Sequence, residues 1–248
     1  AQRPDENNTI IAFSGGSLLN LAQGKFGRYN ENDVRWLAAI GTDYGAVVVA
    51  ESSPLKTIAD LVAAIKADPG KVVFGAGGSV GSQDWMKAAL TARAAGLDPK
   101  SMRFVAFEGG GEAITALQGG HVQVYSGDAS EAEEQIKAGA KIRVLAVLAD
   151  KRLEGPMAKT PTMKELGYDV QWPIIRGFYM GPKVSDADYK VWQSTFAKMM
   201  ATPEYDKLRT ERSLFKFALT GKELDTFIAE RMTTYRTLAK DFGLKVAQ

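Results

Sequence analysis

A glycine-rich segment between a β-branched run and a helical pattern is the strongest constraint that this sequence sets on its fold. Residues 71–90 are KVVFGAGGSVGSQDWMKAAL. The first apolar residues are typical of a short buried strand, and the apolar period that begins after Ser82 predicts a helix. Backbone N–H groups of such a turn converge at the positive end of the helix, which favours binding of a carboxylate or a phosphate. We therefore predict ligand contacts from Gly77, Gly78, Ser79, Val80, Gly81 and Ser82.

Composition excludes several classes of protein. The chain has 248 residues, of which 45% are hydrophobic and 24% charged, as in a soluble globular protein with one large domain or two small ones. Its 31 basic and 29 acidic side chains are interspersed, so no basic stripe indicates a nucleic-acid surface. No apolar run approaches the roughly 20 residues that a membrane span requires.

Cysteine and histidine content limits the chemistry. The sequence contains no cysteine and one histidine, His121, which lies between a glycine and a valine in a predicted turn. A thiol nucleophile and a cysteine-rich metal site are therefore excluded, and a serine–histidine relay would have to use His121. We predict no catalytic residue, no metal and no cofactor.

Strand and helix patterns alternate through the middle of the chain. Strands are predicted at residues 9–13, 34–40, 46–50, 103–107, 122–125 and 142–148, and a polar turn at residues 41–45 separates the second from the third. Helices are predicted at residues 57–67, 82–95, 112–118 and 130–138. The region from about 50 to 150 is thus predicted to be an α/β layer with a mostly parallel sheet, where ligands bind beyond the carboxyl ends of strands.

The last third of the chain is mostly helical. A short capped helix is predicted at residues 160–167 and an extended segment at 170–180. Helices follow at 187–200, at 203–210 and, after a capping box that begins at Thr220, through to about residue 241. Their apolar residues recur every three or four positions, so we assign them to core packing.

Polar residues at predicted strand ends are further candidates for ligand contact. Ser14 and Ser17 follow the first strand, and Thr42 and Tyr44 lie in the predicted turn. Each places a hydrogen-bond donor where a ligand would need one, although such residues also simply form turns.

Two charged residues, Arg176 and Asp128, could each contact a ligand or have a purely structural role. Arg176 could bind an additional carboxylate through both guanidinium nitrogens, or it could form an ordinary ion pair. Asp128, at a strand-to-helix turn, could accept a bond from a ligand hydroxyl or orient a neighbouring donor, or it could cap the following helix.

Eight short motifs along the whole chain form a recognisable series. In this order they resemble the extracytoplasmic solute-binding proteins of the tripartite tricarboxylate transporter family, and residues 172–182 resemble the branch named for tricarboxylate binding. The motifs occupy residues 4–5, 56–61, 69–71, 109–113, 119–122, 136–139, 143–147 and 160–167.

The resemblance implies a periplasmic, monomeric protein without enzymatic activity. Its expected fold is the two-lobed α/β Venus flytrap of type II, with residues 1–46 and 180–248 in the first lobe and 47–179 in the second. Such proteins hold a di- or tricarboxylate such as citrate between the lobes, mainly through backbone amides and hydroxyls, and deliver it to membrane permease subunits. The second-lobe role in the family corresponds here to Gly77, Gly78, Ser79, Gly81 and Ser82.

The resemblance also implies a missing segment. In the family, a strand, a carboxylate-binding loop, a helix and a second strand precede the Pro-Asp pair, which here stands at Pro4 and Asp5. We therefore expect the first lobe, and its half of the site, to be incomplete in this sequence.

Two other functions remain open from the residues. The glycines from Gly75 to Gly81 superficially resemble a dinucleotide fingerprint, with Glu108 as a ribose ligand, but the last glycine falls one residue late. An oxidoreductase would also need an acid or base that His121 is badly placed to supply. A carboxylate sensor for a signalling partner would use the same site as a transport protein.

Overall fold

The structure, a computed structural model, describes residues 4–247. The chain divides into two compact units. The first runs through Thr42 and resumes at Ile174, and the second is Asp43–Pro173. The chain passes from one unit to the other within strand β2, Arg35–Ala50, and near the start of strand β7, Pro173–Met180.

The second unit is built from strands that alternate with helices. The sheet order is β6, β2, β5, β3, β4, and every strand except β2 runs in the same direction. The predicted mostly parallel α/β layer is therefore confirmed. Its elements after β2 are α2 Ile58–Ala67, β3 Val73–Gly77, α3 Gln83–Ala94, β4 Arg103–Phe107, α4 Gly110–Gln118, β5 Val124–Asp128, α5 Ala129–Lys137 and β6 Ile142–Leu148.

The order of the strands determines which helix covers which face. The connection from β3 to β4 moves sideways in one direction, and the connection from β4 back to β5 moves in the other. Because such crossovers are right-handed, α3 and α4 pack on opposite faces of the sheet. Both helices begin at the edge where β3, β4 and β5 end, so this edge of the second unit gathers the turns predicted to bind a ligand.

The predicted turn at residues 41–45 is wrong, because these residues continue one long strand. Within β2, Thr42 exchanges backbone hydrogen bonds with Phe215, and Gly45 pairs with Asp128 and Leu148. Gly45 is needed for space rather than for a turn, since an added Cβ would lie 2.6 Å from Cδ of Lys87. Two of the polar residues that suggested a turn, Thr42 and Asp43, are hydrogen-bonded inside the protein instead.

The first unit contains its own sheet. Strand β1 pairs antiparallel with β7, β7 neighbours the first half of β2, and Ala38 of β2 pairs with Thr220 of β8. A core cluster in this unit contains Leu37, Met180 and Phe196. The remaining elements are β1 Ile11–Ser14, α1 Gly15–Ala22, α6 Asp186–Met200, α7 Pro203–Glu211, β8 Leu219–Thr220 and α8 Gly221–Asp241.

Two local predictions differ from the structure. Residues 160–167 form a hydrogen-bonded turn and not a helix, although Thr162 and Glu165 do make the reciprocal capping bonds that suggested one. Helix α8 begins after Thr220 as expected, but the Thr220 side chain makes no capping hydrogen bond. In the first case Gly167 adopts a positive φ of 88°, which ends the turn before a helix can extend.

Among residues 4–247, no helix combines the length and the apolar character that crossing a bilayer requires.

Candidate functional site

The glycine-rich loop (residues 77–82) connects the end of β3 to the start of α3. Gly78 and Gly81 adopt φ angles of 75° and 83°, in the left-handed region that only glycine occupies without strain. The N–H of Gly78 donates to the carbonyl of Phe107 at 2.9 Å, which fastens the loop to the end of β4. The loop is therefore a fixed turn at the carboxyl edge of the sheet.

The loop leaves some backbone donors available and uses others. Besides the Gly78 amide, the N–H of Ser82 is bonded internally, to the carbonyl of Ser79 at 2.9 Å. Within the described part of the chain, the amides of Ser79 and Val80 have no hydrogen-bond partner, and both residues are exposed. The donors that this loop can offer an anion are thus centred on Ser79 and Val80, while Gly81 is buried.

Ser82 has a structural role in the loop. It is the N-cap of α3, and its Oγ accepts from the N–H of Trp85 at 3.2 Å and donates to the carbonyl of Gly77 at 3.3 Å. Because its hydroxyl is occupied in this way, Ser82 shapes the start of the helix and is a poorer donor to a ligand than Ser79.

A buried lysine lies directly behind this edge. The side chain of Lys87, on α3, is fully buried, and its Nζ lies 2.7 Å from Asp84 and 2.6 Å from Asp128. Burial disfavours the ammonium, but the two carboxylates outweigh burial and raise the pKa of Lys87 above its ordinary value. This charged triad ties α3 to the end of β5.

Asp128 does not cap the helix that follows it, which was one of its predicted roles. It stands at the N-cap position of α5 but makes no side-chain capping hydrogen bond. Its carboxylate accepts from Lys87 instead. The capping interpretation is wrong because a fully buried ammonium needs the carboxylate more than a helix end near solvent does.

A half-buried acid, Glu131, occupies the next glycine-rich turn. The hydroxyl of Tyr125 donates to Glu131, whose carboxylate lies so close to Gly110, the first residue of α4, that no Cβ would fit there. Burial, together with the charges of Asp128 and Asp84, raises the pKa of Glu131. The start of α4 is thus covered by the protein's own carboxylate.

Thr42 and Tyr44 do not lie at strand ends, where they were predicted. Thr42 is buried inside β2, and its hydroxyl donates to the carbonyl of Ile174 at 3.4 Å. The neighbouring Asp43 is fully buried and accepts from the hydroxyl of Ser130 at 2.5 Å. Tyr44 is half-buried, and burial together with the charges of Asp150 and Asp43 raises its pKa.

The first unit brings three of the predicted residues together. Ser14 is the last residue of β1 and pairs with Arg176 of β7, and the N–H of Ser14 donates to Oγ of Ser17 at 3.4 Å. These three residues and Ile40 line a groove of about 370 Å³ in the first unit. The groove combines hydroxyls, the start of α1 and one guanidinium, which suits a carboxylate.

Asp84, Lys87 and Glu131 were not singled out from the sequence. The sequence does hold one weak signal, because Lys87 is the one charged residue between Trp85 and Ala92, and the structure buries all of these residues. Asp84, three residues earlier, is one partner of Lys87. The other partner, Asp128, lies 41 residues away, so only the fold reveals it.

The described residues contain no group of three or more His, Asp or Glu side chains arranged to hold a metal ion.

A protein-family model matches most of this chain. The model of a family described as the tripartite tricarboxylate transporter family receptor matches residues 25–244. A protein of Cupriavidus necator described as a UPF0065 protein in the gbd 5' region is 28% identical over 213 residues, which is 84% of this chain. The chain spans 61% of the length of that relative.

Solved structures of similar fold cover both units. A TctC solute-binding protein from Polaromonas is 22% identical with a TM-score of 0.76, over 96% of this chain and 79% of that one. An adipate-bound protein of R. palustris is 18% identical with a TM-score of 0.83, over 96% and 78%. The expected α/β fold of two-lobed periplasmic binding proteins is therefore confirmed.

Proposed function

Because this chain belongs to the tripartite tricarboxylate transporter receptor family, we propose that it is a periplasmic receptor that captures a di- or tricarboxylate and delivers it to a membrane permease. The family and the fold are those of solute receptors and not of enzymes, so the dinucleotide-dependent alternative is wrong. Binding and release, rather than any bond-making step, are then the whole of its chemistry.

The unpaired amides of Ser79 and Val80 carry this proposal. Two adjacent backbone donors and the Ser79 hydroxyl can hold one carboxylate without a cation beside it. The positive φ of Gly78 and its bond to Phe107 hold the donors in place before the solute arrives. Little ordering is then required on binding, which favours affinity.

The groove of the first unit carries groups that suit a carboxylate. Arg176 contributes a guanidinium to its lining, and Ser14 and Ser17 contribute hydroxyls at the start of α1. The proposal names a di- or tricarboxylate, citrate among them, because the matching family is described as a tricarboxylate transporter receptor and a structural neighbour is bound to adipate.

Isothermal titration with citrate, malate, succinate, adipate and L-glutamate tests the proposal. We expect saturable one-to-one binding of at least one of these acids. If none of them releases or absorbs heat and none raises the melting temperature, the protein is not a receptor of this class.

Substitution of Gly78 by valine tests the role of the loop. An added Cβ would lie 3.1 Å from Cβ of Ser82, and the φ of 75° would be strained. We expect a loss of affinity of about tenfold or more as the loop moves. Gly120→Val is the matched control, since Gly120 has the same φ of 75° and nothing within 4 Å of an added Cβ. Equal affinity of the two variants would remove the loop from the site.

A further inference from the structure

One carboxylate of the second unit lies next to the place where its two glycine-rich turns meet. Glu131 belongs to the first turn of α5, and its carboxylate rests against Gly110, the first residue of α4. The preceding residue, Gly109, touches the start of the glycine-rich loop, since its Cα is 3.4 Å from the position that a Cβ on Gly77 would occupy. Glu131 is therefore a close neighbour of the loop that we propose holds the solute.

The position of this carboxylate is built into the fold. Tyr125 is fully buried on β5, and its hydroxyl donates to the carboxylate of Glu131. Two glycines make room for the pair, because a Cβ on Gly110 would overlap the carboxylate and a Cβ on Gly127 would overlap the tyrosine hydroxyl. A hydrogen bond and close backbone contact thus hold the carboxylate in one place.

No cation is bonded to Glu131. The buried ammonium of Lys87 bonds to Asp84 and Asp128 instead. Within the described part of the chain, Tyr125 is the hydrogen-bond donor to Glu131, and no lysine or arginine forms an ion pair with it. A neutral hydroxyl stabilises an ionised carboxylate less than an ammonium does, so the charge of Glu131 is not cancelled locally.

The surroundings of Glu131 favour its protonated form. Burial is the largest cause that raises its pKa, and the negative charges of Asp128 and Asp84 raise the pKa further. The hydrogen bond from Tyr125 and the charge of Lys87 lower the pKa without outweighing these effects. The titratable and charged groups around Glu131 are Asp43 on β2, Asp84 and Lys87 on α3, Glu108 and Glu112 before and on α4, and Tyr125 and Asp128 on β5.

We propose that the solute binds together with a proton, which Glu131 takes up from the solvent. The ionised carboxylate repels a negative solute at the amides of Ser79 and Val80, and the protonated carboxyl group does not. Solute binding therefore favours protonation of Glu131, and by reciprocity protonation favours solute binding to the same extent. This inference rests on the proposed function, since it adds a proton to binding at the same site.

Affinity then depends on pH in a defined direction. A bound anion raises the pKa of Glu131 above its value in the free protein, so protons are taken up between these two pKa values. As far as Glu131 is concerned, affinity falls as the pH rises through this interval and is constant on either side of it. We expect this effect to weaken binding about fivefold or more between about pH 5 and pH 8.

Calorimetry of the unmodified protein and of Glu131→Gln tests the inference. Each is titrated with whichever of citrate, malate, succinate, adipate and L-glutamate binds most tightly, in two buffers of different ionisation enthalpy. The difference in heat between the buffers gives the number of protons taken up per solute bound. Glutamine can still accept from Tyr125 but cannot take up the proton, and the solute's own titration contributes equally to both proteins.

We expect the unmodified protein to take up more protons than Glu131→Gln. At about pH 8 the variant should bind about fivefold or more tightly than the unmodified protein, because the repelling charge is gone. Glu134→Gln is the control, since Glu134 is exposed on the same helix and loses the same charge. This control should keep the proton uptake and the affinity of the unmodified protein.

Equal proton uptake by the unmodified protein and Glu131→Gln would overturn the inference and leave the proposed function intact. An equal loss of uptake in both variants would overturn it as well. Carbon NMR titration of the Glu131 carboxyl in the unmodified protein needs no variant, and a pKa that saturation with the acid leaves unchanged would also overturn it. Absence of binding of all five acids at every pH would count against both the inference and the proposed function.

Discussion

At the scale of single residues, Lys87 shows how a buried charge organises the candidate site. Its ammonium joins Asp84, at the start of α3, to Asp128, at the end of β5. The sequence did predict the glycine-rich loop, because a strand signal, closely spaced glycines and a serine that opens a helix agree there. It did not predict Lys87, because an amphipathic pattern assigns a lone lysine to the solvent-exposed face of a helix.

Replacement of Lys87 by methionine should be strongly destabilising. The change keeps the length of the side chain but leaves two largely buried carboxylates without their cation. We expect the free energy of unfolding to fall by about 3–5 kcal/mol, measured by urea denaturation. Lys66→Met, at an exposed position of α2, should change it by less than about 0.5 kcal/mol. A similar small effect of both substitutions would mean that the triad contributes nothing to folding.

At the scale of elements, β2 is where local pattern and tertiary structure disagree most. Its polar residues and glycines predict a turn, yet the strand continues because partners distant in sequence bind the side chains of Thr42 and Asp43. Asp43 is bonded by Ser130, 87 residues later, and Gly45 makes room for Lys87. Helices were predicted more reliably than this strand because their caps and periodicity are local signals.

Gly177, on β7, is a second glycine at a position where a neighbouring strand leaves no room for a side chain. A Cβ there would lie 2.4 Å from the carbonyl oxygen of Ala38, a backbone atom that cannot rotate away. We expect Gly177→Ala to lower the free energy of unfolding by about 2–3 kcal/mol in chemical denaturation.

Gly111→Ala, in helix α4, is the control for Gly177→Ala. Gly111 of α4 has nothing within 4 Å of an added Cβ, so Gly111→Ala should leave stability unchanged or raise it by up to about 1 kcal/mol. Equal effects of the two alanines would show that β7 and β2 can separate without cost.

At the scale of the whole molecule, the fold class was predictable and the detailed chemistry was not. Motif order along the chain indicated the family, and the alternation of strands and helices indicated the parallel layer. The lobe boundaries predicted after residues 46 and 179 fall within β2 and β7, the strands in which the chain changes unit. Hydrogen bonds such as that between Asp43 and Ser130 join positions far apart in the chain, so no local sequence pattern predicts them.

Amide chemical shifts test the central claim most directly, namely that backbone donors of the glycine-rich loop hold the solute. With the tightest-binding acid from calorimetry added to saturation, the amide signals of Ser79 and Val80 should shift more than those of Gly78 and Ser82, whose N–H groups are bonded internally. Saturable binding with unshifted Ser79 and Val80 amides, and with the changes confined to other segments, would contradict the account.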